Sequence, residues 1–156
     1  VLATQCAGGA SWAPADLFAP LMDAGGWSLF GLMVVWQLPH FWAIAWMYRD
    51  DYARGGYRML PIIDPSGKLT SWAIAISALA LVPALAWPAL AMPDVLSPAY
   101  TTLAVASGLG YFALTLPLLA RRDRKSARRV FIASVMHLPL ILMVMVADAL
   151  LVRFAF

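Results

Sequence analysis

The chain has 156 residues, of which 63% are hydrophobic and only 12% are charged, and its formal net charge is +3. A soluble domain carries roughly 25% charged residues, so the composition indicates a membrane protein and excludes an ordinary soluble core. All eight acidic residues are aspartates. The single cysteine, Cys6, excludes an internal disulfide and offers no metal-binding pattern.

The N-terminal segment, residues 1–13, is short, apolar and rich in glycine and alanine. It begins with valine and lacks the basic region of a signal peptide. We interpret it as the end of a helix whose start is missing. The sequence therefore predicts one transmembrane domain over residues 1–156, truncated at its N-terminus.

Four long apolar segments follow, and each is about as long as the 20 or so residues that a helix needs to cross a bilayer. They cover residues 27–47, 72–92, 99–120 and 130–152. We find no internal repeat and no low-complexity tract in the sequence. The pattern predicts an all-α fold, a multi-pass transmembrane helical bundle in a lipid bilayer.

The loops between these segments alternate in charge. Basic residues fill the first and third loops, whereas the second loop has none. They are Arg49, Arg54, Arg58 and Lys68 in the first loop, and Arg121, Arg122, Arg124, Lys125, Arg128 and Arg129 in the third. The positive-inside rule predicts that loops 49–68 and 121–129 face the cytoplasm, as in a multi-pass protein of the inner membrane.

Loop 121–129 has a simple interpretation despite its charge. Its basic residues fix the topology and attract anionic lipid. They lack interleaved aromatic side chains and stand between two membrane segments, which argues against nucleic acid as a partner.

The first segment ends in two adjacent carboxylates, Asp50 and Asp51, among the arginines of loop 49–68. Neighbouring carboxylates repel each other unless a cation neutralises them. Oxygen ligands at a polar surface suit Mg²⁺, which binds one or two carboxylates together with substrate phosphates. Basic side chains suit phosphate oxygens directly. The alternative is a solvated loop in which aspartates and arginines pair locally.

Helical periodicity connects this loop to the membrane segment before it. At about 100° per residue, a helix that continues through residue 51 places His40, Met47 and Asp51 on one face, with Trp36 on a neighbouring stripe. An ionisable side chain inside a membrane segment is a functional candidate. His40 therefore either acts in the site or bonds to a neighbouring helix.

The run WQLPHFWAIAWMYRDDYARGGYRMLP, residues 36–61, resembles a signature of the UbiA-type intramembrane prenyltransferases, in the branch that farnesylates haem. The shared pattern is W-x-x-P-H-F, then D-Y-x-x-x-G, then M-L-P. The matching positions are Trp36, Pro39, His40, Phe41, Asp51, Tyr52, Gly56, Met59, Leu60 and Pro61. The later run RRVFIASVMHLPLILMVMVAD, residues 128–148, is similar to the last helix of that family.

The resemblance implies a fold and a reaction. The fold is the C-terminal part of a nine-helix bundle. The reaction transfers the farnesyl group of farnesyl diphosphate to a vinyl group of haem b, which gives haem O and diphosphate. Mg²⁺ is the implied cofactor, and assembly factors of terminal oxidases are the implied protein partners.

The resemblance also implies roles for particular residues. The catalytic residues are Asp50, Asp51, His40 and Tyr52, and the first two hold the metal. The diphosphate is bound by Arg49, Arg54, Arg58 and Lys68. The cavity for haem or the isoprenoid is lined by Trp36, His40, Phe41, Met47 and His137. Neutral imidazole is a common haem ligand, so His40 and His137 are each either an axial ligand or an interhelical hydrogen-bonding residue.

One motif of the family is missing. The N-terminal half of such enzymes carries an N-x-x-x-D-x-x-x-D motif, but only Asp16 and Asp23 precede Trp27, and both lie on the opposite side by the charge rule. We therefore expect this chain to be the C-terminal half of the enzyme and inactive alone. A second hypothesis is a non-catalytic membrane subunit or transporter fragment whose Asp–Arg loop binds a lipid head group.

Overall fold

The structure is a computed structural model that describes residues 23–155. This part of the chain contains six helices and no strand. The helices are α1 (Ala24–Met47), α2 (Arg49–Arg54), α3 (Leu60–Ile63), α4 (Lys68–Ala91), α5 (Pro98–Arg121) and α6 (Arg124–Ala155). The helix end expected at residues 1–13 lies outside the described residues.

Four of these helices, α1, α4, α5 and α6, are long and apolar enough to cross a membrane. They contain the four predicted segments, except that Met92 follows α4 as its cap residue. The prediction of an all-α, multi-pass membrane bundle is confirmed. The two short helices α2 and α3 within loop 49–68 were not predicted from the sequence.

The four long helices form a ring. Helix α1 packs against α4 and α6, and α5 packs against the same two helices, so that α1 and α5 lie diagonally opposite. The centre of the ring is apolar. It is formed by Leu32, Ala43, Ile74, Ala78, Leu81, Leu85, Tyr100, Ala104, Tyr111, Leu118, Val130 and Ile141.

The outer faces of the ring are also apolar, as lipid contact requires. Leu90 and Phe154 are among many large apolar side chains that point outward. Since lipid is as apolar as these side chains, close packing and hydrogen bonds must hold the helices together. Buried serines inside the helices donate to carbonyls of their own helix. Ser77, for example, donates to the carbonyl oxygen of Ala73 at 2.7 Å.

One end of the ring, the acidic end, carries Asp23, Asp94 and Asp148 together with Arg153. Asp23 caps α1, because its Oδ1 accepts a hydrogen bond from the backbone N–H of Gly26 at 2.7 Å. Asp148 of α6 holds the start of α5. Its carboxylate accepts hydrogen bonds from the backbone N–H and the hydroxyl of Ser97, at 2.7 and 2.5 Å. The Asp16 of the sequence lies outside the described residues.

The other end, the basic end, carries loops 49–68 and 121–129, and with them ten of the eleven basic residues of the chain. The two loops lie near each other, because the guanidinium of Arg124 is 5.9 Å from the ring centroid of Tyr48, the residue before loop 49–68. Both predicted cytoplasmic loops therefore lie at one end of the bundle. Which side of a membrane that end faces stays a prediction.

Aspartates at the basic end accept hydrogen bonds from the first turns of two helices, α4 and α6. Burial raises the pKa of Asp64, but hydrogen bonds from Thr70 and Ser66 outweigh it and hold this pKa below its usual value. Asp123 directly precedes α6. A hydrogen bond from Ser126 lowers the pKa of Asp123, so both aspartates are charged at neutral pH.

Helix α1 ends before the aspartate pair. At Tyr48 the backbone leaves helical geometry, with φ −111° and ψ 20°. The N–H groups of Asp51 and Tyr52 both bond to the carbonyl of Tyr48, which starts the separate helix α2. The prediction that His40 and Asp51 share one helical face is therefore wrong, because the periodicity is interrupted between them.

Trp46 fixes loop 49–68 near both of its ends. The guanidinium of Arg49 lies 5.0 Å from the Trp46 ring centroid. At the far end of the loop, Gly67 adopts a left-handed conformation with φ +67°. A Cβ atom at Gly67 would overlap the buried Trp46 ring. Glycine is thus required at this position by its backbone conformation and by the closeness of the indole.

Replacing Gly67 by alanine tests this contact. Gly67→Ala is expected to lower the free energy of unfolding by more than about 2 kcal/mol, because left-handed strain and overlap with Trp46 add. Gly56→Ala is the matched control. Gly56 has φ +77° and open space around it, so only the strain of about 1 kcal/mol applies. Reversible unfolding in mixed micelles measures both, and equal losses would contradict the contact with Trp46.

Candidate active site

His40 lies where α1 packs against α6. Its Nδ1 is 2.8 Å from Oγ of Ser134 on α6. That hydroxyl donates its one proton to the carbonyl oxygen of Phe131, at 2.6 Å. We therefore assign the His40 proton to Nδ1, which donates to Ser134. The Nε2 atom of His40 then carries a lone pair, and it has no hydrogen-bond partner among residues 23–155.

Aromatic rings hold the imidazole on two sides. Trp36, one turn earlier on α1, stacks on His40 with ring centroids 4.7 Å apart. The Trp36 indole N–H also donates to the carbonyl oxygen of Ser134 at 3.0 Å. Phe131 of α6 lies on another side of the imidazole, 5.2 Å away. Ser134 thus binds both polar side chains that α1 directs toward α6.

The structure places the other expected cavity residues differently. Phe41 touches the edge of the His40 ring at 5.5 Å, but its side chain is exposed on the outer face of α1. Met47 is half-buried at the end of α1 and packs against the core. Met47 therefore stays near the predicted site, whereas Phe41 points toward lipid or toward residues that the structure does not describe.

His137 lies apart from His40, between α5 and α6. Its Nε2 is 3.2 Å from the hydroxyl of Ser107, and its ring stacks on Tyr111 with centroids 5.3 Å apart. Its Nδ1 is buried without a hydrogen-bond partner in the described part of the chain. This geometry is that of an interhelical hydrogen bond, the second of the two readings that the sequence allowed.

The aspartate pair lies in solvent at the basic end. Asp51 pairs with Arg54 of the same short helix. The Asp50 carboxylate is 3.6 Å from Nε of Arg49. Their side chains are 88% exposed at Asp50 and 59% exposed at Asp51. The local pairs expected of a solvated loop are therefore present, and a diphosphate or a metal would have to exchange with them.

The remaining predicted residues of loop 49–68 form no ion pair with Asp50 or Asp51 in the described part of the chain. Arg58 and Lys68 are exposed, and neither forms an ion pair within the described residues. Tyr52 is half-buried and packs edge-on against Tyr57, with centroids 5.9 Å apart. A small cavity of about 210 Å³ lies between α2 and α3, and Arg49 and Asp50 line one side of it.

The sequence analysis missed a larger cavity at the basic end, between the end of α1 and the start of α6. It measures about 770 Å³. Its lining consists of Met47, Tyr48, Arg124, Lys125, Arg128, Phe131 and Ile132. Arg124, Arg128 and Phe131 follow the i, i+4, i+7 spacing of one helical face, which was a readable signal. The sequence-based interpretation of these basic residues is topology and attraction of anionic lipid. Ser134 was also missed, because a lone buried serine has no signature.

Asp50 and Asp51 offer the carboxylate oxygens that Mg²⁺ prefers, but they do not form a complete set of ligands by themselves. No group of three or more His, Cys, Asp or Glu side chains comes together within residues 23–155. Mg²⁺ usually keeps several waters and takes one or two carboxylates plus substrate phosphates. Two exposed carboxylates among arginines meet that requirement only when a phosphate ligand completes the set.

Comparison with known proteins identifies the family. The sequence model of the UbiA prenyltransferase family matches residues 1–141. The chain belongs to the UbiA prenyltransferase family. The resemblance carried by residues 36–61 is thereby confirmed. No solved structure gives a significant match.

Curated relatives narrow the likeness within the UbiA family. A protein of Salinibacter ruber named protoheme IX farnesyltransferase is 38% identical over 127 residues, 81% of this chain and 44% of its own length. The Solibacter usitatus protein of that name is 40% identical over 122 residues, 78% of this chain and 41% of its own. The human mitochondrial protein of that name is 36% identical over 124 residues, which are 80% of this chain and 27% of its own length. The chain thus spans less than half the length of these relatives.

Proposed function

We propose that the protein to which this chain contributes transfers the farnesyl group of farnesyl diphosphate to a vinyl group of haem b, giving haem O and diphosphate. The proposal rests on two features of one bundle. His40 inside the bundle has a ring nitrogen with a free lone pair, and an aspartate–arginine loop lies at the basic end. Relatives named protoheme IX farnesyltransferase, alike over about four fifths of the chain, support the same reaction.

The diphosphate belongs at the basic end, since burying its charge in hydrocarbon would be prohibitive. Asp50 and Asp51 would hold Mg²⁺, which stabilises the negative charge that develops on the leaving oxygens. Arg49 and Arg54 would exchange their pairing with these aspartates for contacts with phosphate oxygens. Arg58 and Lys68, which form no ion pair within the described residues, add cationic donors on the same loop.

The reacting carbons belong deeper, near His40. The mostly apolar side chains of α1, a helix of 24 residues, would keep water away from the allylic carbon while its bond to oxygen breaks. The Ser134 hydroxyl accepts the Nδ1–H of His40, and metal-ligating histidines are commonly oriented by such a hydrogen bond from the ring nitrogen that does not bind the metal. We assign His40, through Nε2, to the porphyrin rather than to the phosphates, and His137 to helix packing.

We also propose an orientation. The basic end faces the cytoplasm of an inner-membrane protein, because ten of eleven basic residues lie there. Farnesyl diphosphate would then reach loop 49–68 from the aqueous side and extend its tail into the bundle.

A second candidate function rests on the local Asp–Arg pairs. A loop whose carboxylates are already neutralised can hold a lipid head group without catalysis. In that case the chain is a membrane-binding subunit or part of a transporter. The next two experiments separate this candidate from the enzyme.

The aspartate loop is tested in a chimera in which this chain replaces the matching residues of the Salinibacter ruber relative. Membranes with the chimera are expected to form haem O from haem b and farnesyl diphosphate. Asp51→Asn should lower turnover at least about 100-fold, since loss of one metal-binding carboxylate costs several kcal/mol of charge stabilisation. Asp94→Asn, at the acidic end, is the control and should stay within about twofold of the parent, below 0.5 kcal/mol. An active Asp51→Asn chimera with unchanged Mg²⁺ dependence contradicts the assignment.

The role of His40 is tested by measuring farnesyl diphosphate binding and haem O formation separately. In the same chimera, His40→Ala should abolish haem O formation while the affinity for labelled farnesyl diphosphate changes by less than about threefold, or 0.65 kcal/mol. His137→Ala is the comparison and should retain product formation. Loss of diphosphate binding with continued conversion at saturating substrate would place His40 at the wrong end of the cavity.

A further inference from the structure

The cavity between α1 and α6 has a charge pattern that the aspartate loop does not share. Arg124, Lys125 and Arg128 all line it, and no carboxylate does. The only ion pairs within residues 23–155 are those of Arg49 and Arg54. Three cations line one cavity whose lining holds no carboxylate, and this arrangement favours an anionic ligand.

One acidic side chain, Asp123, directly precedes these cations in the sequence and attracts Lys125, but it does not line the cavity. Its Oδ1 accepts the backbone N–H of Ser126 at 2.7 Å, which holds the carboxylate at the start of α6. A cavity without carboxylates offers nothing to a metal ion, so it does not suit a diphosphate that arrives with Mg²⁺. It does suit carboxylates, which arginine and lysine bind directly.

The cavity lining also has an apolar part. Met47, Phe131 and Ile132 belong to it. The Phe131 ring lies beside the His40 ring, with centroids 5.2 Å apart. Phe131 thus connects the cation-lined cavity with the imidazole of His40. Its ligand should combine an anionic edge with a broad apolar body.

We propose that Arg124, Lys125 and Arg128 bind the propionate carboxylates of the porphyrin substrate, whose macrocycle lies along Phe131 toward His40. The inference rests on the proposed function, because it takes haem as the ligand. Ser134, which holds His40, comes six positions after Arg128 in the sequence, a rise of about 9 Å along α6. That length is of the order of the distance from the centre of a porphyrin to its propionates.

The assignment gives the two substrates separate anion sites at one end of the bundle. The loop with Asp50 and Asp51 takes the metal-bound diphosphate. The cavity on α6 takes the carboxylates without metal. An anionic phospholipid head group offers related chemistry to the same cations, and the experiment distinguishes it from haem.

Binding of ferric haem b to this chain in zwitterionic lipid nanodiscs tests the inference without any variant. Absorbance titration should give an affinity at least tenfold tighter than that of the haem dimethyl ester, whose propionates are neutral. A tenfold difference corresponds to about 1.4 kcal/mol. Equal affinity for acid and ester would overturn the proposal. Loss of acid-selective binding in nanodiscs enriched in phosphatidylglycerol would identify a lipid head group as the ligand and overturn it too.

Variants then locate the site. The triple variant Arg124→Gln, Lys125→Gln, Arg128→Gln should weaken haem binding at least tenfold and leave ester binding within threefold. The matched control is Arg121→Gln, Arg122→Gln, Arg129→Gln. It removes three charges from the same loop but none from the cavity lining, and it should leave haem binding within threefold. Equal losses in the two triples would assign the effect to general charge and contradict the site.

A charge-retaining variant and a binding assay without the second substrate separate the possible causes of lost haem binding. Arg124→Lys with Arg128→Lys retains both charges and should retain haem affinity within threefold, even if the glutamine triple fails to insert. Binding is measured without farnesyl diphosphate, so it does not depend on catalysis. If the chimera makes haem O but the chain binds haem b no tighter than its dimethyl ester, the propionate site is contradicted and the proposed function is not. If the chimera is inactive but the chain binds haem b tighter than the ester, the proposed function is contradicted and the propionate site is not.

Discussion

The contact between α1 and α6 at Ser134 is the interaction on which the candidate site depends. Ser134 of α6 accepts hydrogen bonds from two side chains of α1. Its backbone carbonyl accepts the indole N–H of Trp36, and its hydroxyl accepts the Nδ1–H of His40. An interhelical hydrogen bond in a membrane contributes only about 0.6 kcal/mol on average. Its importance here is geometric, because it fixes the rotation of both helices and the direction of the imidazole.

The same contact brings two kinds of charge to one end of the bundle. With α1 set against α6, the end of α1 leads into the aspartate loop, and the start of α6 presents its basic face beside Tyr48. One region mixes carboxylates with arginines, and the other has cations only. Chemistry at each region follows from that difference. Mixed charges suit a metal-bound phosphate, whereas a cavity lined by cations suits free carboxylates.

The sequence was sufficient for the large features and insufficient for the long-range contacts. Apolar length and loop charge predicted the four long helices and the meeting of both basic loops at one end, because these depend on local composition. Periodicity failed at Tyr48, where packing of Trp46 against Gly67 and the change of direction of the loop outweigh helical propensity. The bond between His40 and Ser134 joins residues far apart in the chain, and no local pattern encodes it.

The most direct test of the account is whether the end of α1 meets the start of α6. In a Cys6→Ser background, cysteines replace Tyr48 and Arg128, which line one cavity. A short bismaleimide should cross-link this pair within the chain in native membranes. The control pair, cysteines in place of Tyr48 and Asp94, lies at opposite ends of the ring and should not react. Cross-linking of the control pair, or none in the first pair despite single labelling of both cysteines, would contradict the structure on which the site is built.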